Sequence, residues 1–234
     1  MSTAVYFDLD GTLCTYTKSF DEQFATTVEP YGEPTDSAYE LYVERLFRAL
    51  ETCEPNPYRR AFEAVVEQTP LEAAPKTLAR EHCQTELKAT AVSREARQVV
   101  ERVGNSRQTG ILTNGDGRQQ RAKIDRHGLG ELVDTVVVSN ELGVRKPDRE
   151  IFETARERLP ADEHVYVGDT FDEDIVGAHE AGFQTVYVAG TDTTTSTRDT
   201  DTAGEVADAI VSDVSGLLYP ESLPQSLSRA FEVA

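Results

Sequence analysis

The chain has 234 residues, 38% of them hydrophobic, with 42 acidic against 23 basic side chains and a formal net charge of −19. That length and apolar content suit a folded protein with its own core and exclude a disordered chain, while the charge disfavours nucleic acid and anionic membranes as partners because both repel such a surface. No apolar run reaches the ~20 residues of a membrane span, and no basic region followed by an apolar segment opens the chain, so the expected location is cytoplasmic, without a signal peptide or membrane partner.

The first predicted element is a strand whose apolar run, Ala4 to Phe7, leads into Asp8-Leu9-Asp10-Gly11-Thr12-Leu13. Side chains of an extended chain alternate with period two, so Asp8 and Asp10 are expected to leave the strand end on one side. Two carboxylates that close require a cation or a shared proton between them. Gly11 gives the backbone freedom for a sharp turn. An acidic turn without chemistry accounts for these ten residues equally well.

From about residue 15 to 92 the pattern is helical. Ser19 to Glu22 forms a capping box ahead of Phe20, Phe24 and Val28. A second box, Ser37 to Glu40, opens a helix on which Tyr39, Tyr42, Val43, Leu46, Phe47 and Leu50 make a continuous apolar stripe, read as core packing rather than as a ligand wall. Ala61, Phe62, Val65 and Val66 predict a third helix and Leu78 to Leu87 a fourth. Lys18, Arg45, Arg48, Arg59 and Arg60 could reach an anionic substrate, although exposed cations are more often solvated or paired with nearby acids.

A different rhythm begins at Ser93. A helix to Val103 precedes the strand Thr109–Thr113, and a basic helix then runs to His127, with Gly128 terminating it. The strand Thr135–Ser139, a loop over Glu141–Pro147 and a helix over Asp148–Leu159 follow. The strand His164–Asp169, a helix over Asp172–Ala181 and the strand Gln184–Val188 come next. Short, nearly unbroken apolar strands alternating with helices predict a parallel sheet covered on both faces. Residues 191–202 read as a solvated Thr/Asp-rich loop, Ala209–Val211 as an edge strand and Ser226–Val233 as a terminal helix.

In an open α/β sheet, ligands bind beyond the carboxyl ends of the strands. The predicted strand ends carry Asp8 and Asp10, Thr113 and Asn114, Lys146 in the loop after the third strand, and Asp169 with Asp172, Glu173 and Asp174 beyond it. This set suits phosphoryl transfer. Carboxylates including Asp8 and Asp169 offer hard oxygen ligands to Mg²⁺, and Lys146 supplies a positive charge toward the same oxygens. Thr113 and the N–H groups after it can donate to phosphoryl oxygens. Asp8 could then attack phosphorus, with Asp10 transferring protons. The duller readings are an Asp116 N-cap, a surface lysine at 146, and acids at 172–174 that merely favour a helix N-terminus; spacing alone does not say which of those three functions.

The four stretches Asp8-Leu9-Asp10-Gly11-Thr12-Leu13, Ile111-Leu112-Thr113-Asn114-Gly115, Gly143-Val144-Arg145-Lys146-Pro147 and Gly168-Asp169-Thr170-Phe171-Asp172-Glu173-Asp174 resemble, in this order, the motifs of the haloacid dehalogenase superfamily of hydrolases. The resemblance covers nearly the whole chain. It implies a Rossmann-like α/β core (residues 1–14 and 93–234) with strand order 3-2-1-4-5, and a helical cap over residues 15–92. It further implies Asp8 as nucleophile and Asp10 as general acid/base, the latter also lending its backbone carbonyl to Mg²⁺. Asp169 is then a metal ligand and Asp174, rather than Asp172, the second acid, acting through water or Lys146. Glu173 departs from the asparagine of many relatives.

Members that dehalogenate carbon typically lack an acid at the position of Asp10, so its presence favours phosphate esters. The expectation is a Mg²⁺-dependent phosphatase of a small phosphorylated metabolite. A phosphomutase of the β-phosphoglucomutase type shares every core residue and stands second, ahead of a 2-haloacid dehalogenase and a non-catalytic binding relative. Scattered acids, with arginine far outnumbering lysine, suggest adaptation to molar salt, where screening shortens to ~3 Å. Cys14, Cys53 and Cys83 are too few and too far apart for a disulfide framework or zinc site.

Overall fold

A computed structural model of the chain describes residues 1–190 and 204–232. In chain order the strand β1 (Thr3–Phe7) is followed by β2 (Thr15–Tyr16) and four helices, α1 (Phe20–Val28), α2 (Asp36–Glu51), α3 (Pro57–Gln68) and α4 (Pro75–Lys88). Next come β3 (Thr90–Ala91), α5 (Arg94–Gly104), β4 (Gln108–Thr113), α6 (Gly117–Arg126), β5 (Thr135–Val138), α7 (Ser139–Leu142) and α8 (Arg149–Arg158). Then come β6 (Glu163–Gly168), a π-helical turn (Phe171–Val176), α9 (Gly177–Glu180), β7 (Gln184–Val188), β8 (Ala209–Val211), two short 3-10 turns (Val214–Leu218 and Pro220–Ser222) and α10 (Gln225–Phe231).

Six strands form one sheet in the order β5-β4-β1-β6-β7-β8, every neighbouring pair parallel. Counting β1, β4, β5, β6 and β7 as core strands one to five reproduces the expected 3-2-1-4-5 order, with β8 added at the edge. Alternation along β1 explains the layering: Val5 and Phe7 join a core with Val99, Val100 and Phe231 on one face, while Ala4 and Tyr6 join Ile151, Phe152 and Ala178 on the other. Ser93 caps α5 by accepting from Ala96 N–H, and the Asp116 N-cap named among the duller readings is in place at α6, where it accepts from Gln119 N–H.

Helices α1–α4 share a separate apolar cluster built from residues such as Phe24, Tyr42, Phe62 and Leu78, and the antiparallel pair β2–β3 lies where the chain enters and leaves them. At α1 the Glu22 carboxylate accepts from the Ser19 N–H at 2.9 Å, as expected. At α2 the expected box at Ser37 is displaced: Thr35 is the N-cap and its hydroxyl accepts from Ala38 N–H. Two further corrections concern short elements. The loop expected from Glu141 begins inside the one-turn helix α7, and the helix expected from Asp172 starts as the π-helical turn, which widens the backbone where the chain passes the sheet rim. The Thr/Asp-rich stretch at 191–202, and Val233 of the terminal helix, lie outside the described residues.

Candidate active site

β1 ends at Phe7, and the Asp8 N–H still pairs with the Val167 carbonyl at 2.8 Å. This holds Asp8 at the carboxyl edge of the central strand, with 6% of its surface exposed. Lys146 reaches it from the loop after α7. The ammonium donates to Asp8 Oδ1 at 2.7 Å, to Asp174 Oδ1 at 2.5 Å and to the Tyr166 hydroxyl at 2.8 Å, and that hydroxyl donates onward to the Leu112 carbonyl at 2.8 Å. The Lys146 loop is clamped to the end of β4 by Asn114, whose side-chain oxygen accepts from Lys146 N–H while its Nδ2 donates to the Lys146 carbonyl.

Carboxylate oxygens of Asp8, Asp169 and Asp174 lie within 4.8 Å of one another. Burial and then the crowd of like charge explain the proton affinities. Burial, with Asp174 and Asp169 adding to it, raises the Asp8 carboxyl well above its usual range against the pull of Lys146. Burial, with Asp174 next, pushes Asp169 up to about 6, although it accepts from the Thr12 hydroxyl at 2.7 Å. Lys146 stays charged despite its burial because Asp174 and Asp8 outweigh the desolvation. Gly11 is required twice here. Its φ of +87° is left-handed, and a Cβ on it would fall 2.1 Å from Asp169 Oδ2.

Of the three acids in the π-helical turn, Asp174 is fully buried and Asp172 exposed. Both Asp174 oxygens are engaged, one by Lys146 and the other by Thr170 N–H at 2.9 Å. Glu173 turns to Arg145 at 2.5 Å and accepts from Asn114 Nδ2 at 2.7 Å, outside the acidic cluster. The Asn114 side chain is thus occupied in holding the Lys146 and Glu173 segments together. Thr113 lines the cleft described below, and its hydroxyl accepts from Gln120 Nε2 at 2.8 Å.

Asp10 corrects a sequence-based expectation. Its carboxylate lies outside the cluster of Asp8, Asp169 and Asp174, because the chain bends at Leu9 and the period-two rule of an extended strand no longer applies. Its carboxylate instead meets a second buried lysine, Lys123 of α6, at 3.0 Å to each oxygen, and accepts from Gln120 Nε2 at 2.8 Å. Lys123 also pairs with Glu86 of α4 at 2.7 Å and donates to the Tyr16 hydroxyl at 2.6 Å. Tyr16 lies 3.0 Å from Asp10 Oδ1 and 3.1 Å from Glu86 Oε1, and the Tyr58 hydroxyl donates to Glu86 at 2.7 Å. Burial opposes charge on Glu86, but Lys123 prevails and lowers its pKa; the same pairing with Glu86 and Asp10 keeps Lys123 charged against burial.

Asp8, Asp10, Thr113, Asn114 and Lys146 open onto one cleft of about 530 Å³. Its opposite wall is the apolar stripe of α2, which therefore both packs within the helical segment and lines the cleft. Among the residues that sequence reasoning missed, Lys123 and Gln120 left a readable signal. They share the buried face of α6 with Gln119 and Ile124, and a lysine on such a face requires a partner. Tyr16, Glu86 and Tyr166 carried no such signal.

A model of the haloacid dehalogenase-like hydrolases matches residues 3–182. The chain is 32% identical over 198 residues to a glyceraldehyde 3-phosphate phosphatase of Methanopyrus kandleri, covering 80% of this chain and 84% of that protein. Its fold matches YfnB of Bacillus subtilis, a chain assigned to the same hydrolases and solved bound to magnesium, with TM-score 0.70 at 20% identity over 93% of this chain and 97% of that one. It matches the L-2-haloacid dehalogenase of Xanthobacter autotrophicus nearly as well, with TM-score 0.69 at 19% identity over 95% and 100%.

Proposed function

The chain belongs to the haloacid dehalogenase-like hydrolases, and from that premise we propose that it is a Mg²⁺-dependent phosphatase that cleaves small phosphomonoesters through an aspartyl-phosphate on Asp8. The observation that carries the reading is the separation of two carboxylates of one motif into two settings. Asp8 is buried against Lys146, and Asp10, 27% exposed in its side chain, sits at the wall of the same cleft. A nucleophile needs the first setting and a proton carrier that meets a leaving alcohol needs the second.

The donor set fits a hard divalent cation: clustered carboxylate oxygens, with the proton affinities of Asp8 and Asp169 raised by burial and by crowded negative charge. The carboxylates of Asp8 and Asp169 and the backbone carbonyl of Asp10 would hold it, and Asp174 supports the set from behind through Lys146. When bound, Mg²⁺ offsets the repulsion between these acids and a phosphate dianion and polarises the phosphoryl group.

Lys146 orients Asp8 and pulls its carboxyl toward the ionised form, a pull to which a bound cation would add. An Asp8 oxygen attacks phosphorus, the bond to the leaving oxygen breaks, and Asp10 gives that oxygen its proton. Asp10 then takes a proton from the water that attacks the aspartyl-phosphate, which releases phosphate and restores Asp8. Thr113 and the backbone N–H groups after it donate to phosphoryl oxygens. Residues 15–92 act as a cap that limits water and substrate size over the cleft. On this reading the substrate is a small phosphorylated metabolite.

The test is a panel of phosphomonoesters with Mg²⁺ in molar salt, the medium that the net charge of −19 suggests, read as released inorganic phosphate. Asp8→Asn is expected to lower kcat by about 10³-fold or more, and EDTA to remove activity. Isomerised product with little free phosphate points to a mutase. Full activity in Asp8→Asn sinks the covalent mechanism.

A further inference from the structure

The phosphate end of the cleft is polar, but the end that must receive the leaving group has a different character. Tyr39, Val43, Leu46, Phe47 and Leu50 of α2 form its wall, none of them charged. The cations that do line the cleft are all engaged. Lys146 meets two carboxylates, Lys123 meets two, and Arg145 meets Glu173. Among the described residues, six acids, three cations and the neutral His82 line the cleft.

The cations offered by the sequence for a second anionic group on the substrate are elsewhere. Arg45, Arg48 and Arg60 line a separate groove with Glu54, Glu63 and Glu67. Arg59 pairs with Glu63, and Lys18 lines a separate shallow depression near Tyr16. A second phosphate or a carboxylate in the cleft would therefore lose its water against an apolar wall and meet acids that have no free counter-charge.

One polar group in that wall is unsatisfied. Tyr42 is 2% exposed and lines the cleft, and its hydroxyl is buried without a hydrogen-bond partner. Buried hydroxyls of this kind call for a partner from a ligand or water. Its ring neighbour His82, with centroids 4.9 Å apart, lines the same cleft and stays neutral, burial having lowered its pKa to about 4. Both groups suit a neutral hydrogen-bonding substituent.

Resting on the phosphatase reading of this cleft, we infer that the substrate carries one phosphate on an uncharged alcohol with an apolar or planar body, and that esters bearing a second anionic group are rejected. An apolar body gains from the α2 wall, a neutral polar group satisfies Tyr42, and the only dianion sits at the acidic rim.

Binding and turnover separate this inference from the reading it rests on. Benzyl phosphate, 4-carboxybenzyl phosphate and glycerol 3-phosphate are titrated into Asp8→Asn protein with Mg²⁺ in molar salt by calorimetry. Benzyl phosphate is expected to bind at least ~10-fold tighter than the carboxylated ester, because the added carboxylate finds no free cation, and ~10-fold tighter than glycerol 3-phosphate, because it buries a ring. Phe47 is half-exposed, so Phe47→Arg tolerates a charge without loss of the fold, and it is expected to close most of the gap between the first two esters. Equal or tighter binding of the carboxylated ester, no binding of any, or an unchanged gap in Phe47→Arg overturns the inference. A ranking as expected without turnover by the wild-type protein leaves the inference standing and overturns the phosphatase reading instead.

Discussion

Lys146 and Lys123 are matched in burial, each with 2% of its side chain exposed, and each meets two carboxylates. Their surroundings differ. The Lys146 node is built entirely at the sheet rim, from the end of β1, the π-helical turn and Tyr166 of β6, and main-chain bonds fix its position. The Lys123 node joins two parts of the molecule. Asp10 and Lys123 belong to the sheet side, Glu86 and Tyr58 to the helical segment, and Tyr16 stands where one passes into the other. The carboxylate assigned to attack phosphorus is thus held by the core alone, whereas the one assigned to move protons is held by a contact that depends on where α4 sits.

Removing each lysine sharpens this contrast. Lys146→Met leaves Asp8 and Asp174 buried with no counter-charge and is expected to cost about 3–5 kcal/mol, read from denaturant unfolding in EDTA. Lys123→Met is expected to cost less, about 2–3 kcal/mol, because Asp10 is partly exposed and water can solvate it. Its larger effect is on kcat, a loss of about 10²-fold, since Asp10 loses the contact that aims it. Adding Glu86→Gln to Lys123→Met should restore part of the stability and none of the rate. Equal stability losses in the two lysine variants, or recovery of rate in the double variant, would remove the distinction.

A further effect, confined to acid pH, lies in the helical segment alone. His82 is 3% exposed, and burial lowers its pKa from 6.5 to about 4. Between those values the unfolded chain binds the proton and the folded chain does not. His82 therefore contributes stability that is present above pH 6.5 and lost as pH falls toward 4, up to about 3 kcal/mol in all at about 1.4 kcal/mol per pH unit. Thermal unfolding from pH 7.5 to 4.5 should show a shallower fall for His82→Phe than for the wild-type protein. An equal slope in both would show that other groups carry the acid sensitivity.

The fold was largely legible because its signals are local. Alternation and apolar runs marked β1, β4, β5, β6 and β7, and Asp116 and Gly128 marked the two ends of α6 through their own backbone preferences. Ser37 misled because Thr35, two residues earlier, was an equally good cap, and only the path of the preceding turn chose between them. The site was legible in part. Asp8, Lys146, Asp169 and Asp174 come together at the sheet rim as their motifs suggested, while the Asn114 side chain is a clamp and the α2 stripe is a wall of the cleft as well as core.

The order of chemical groups along the strand ends follows from sequence, since a parallel sheet carries every such end to one edge and needs only local periodicity to be recognised. Pairing does not follow from it. Lys146 and Asp8 are 138 positions apart and Lys123 and Asp10 are 113 apart, and no spacing along the chain encodes which lysine takes which aspartate. That assignment was made by tertiary structure, because a buried carboxylate must find its counter-charge among whatever the packing of distant elements brings within about 3 Å.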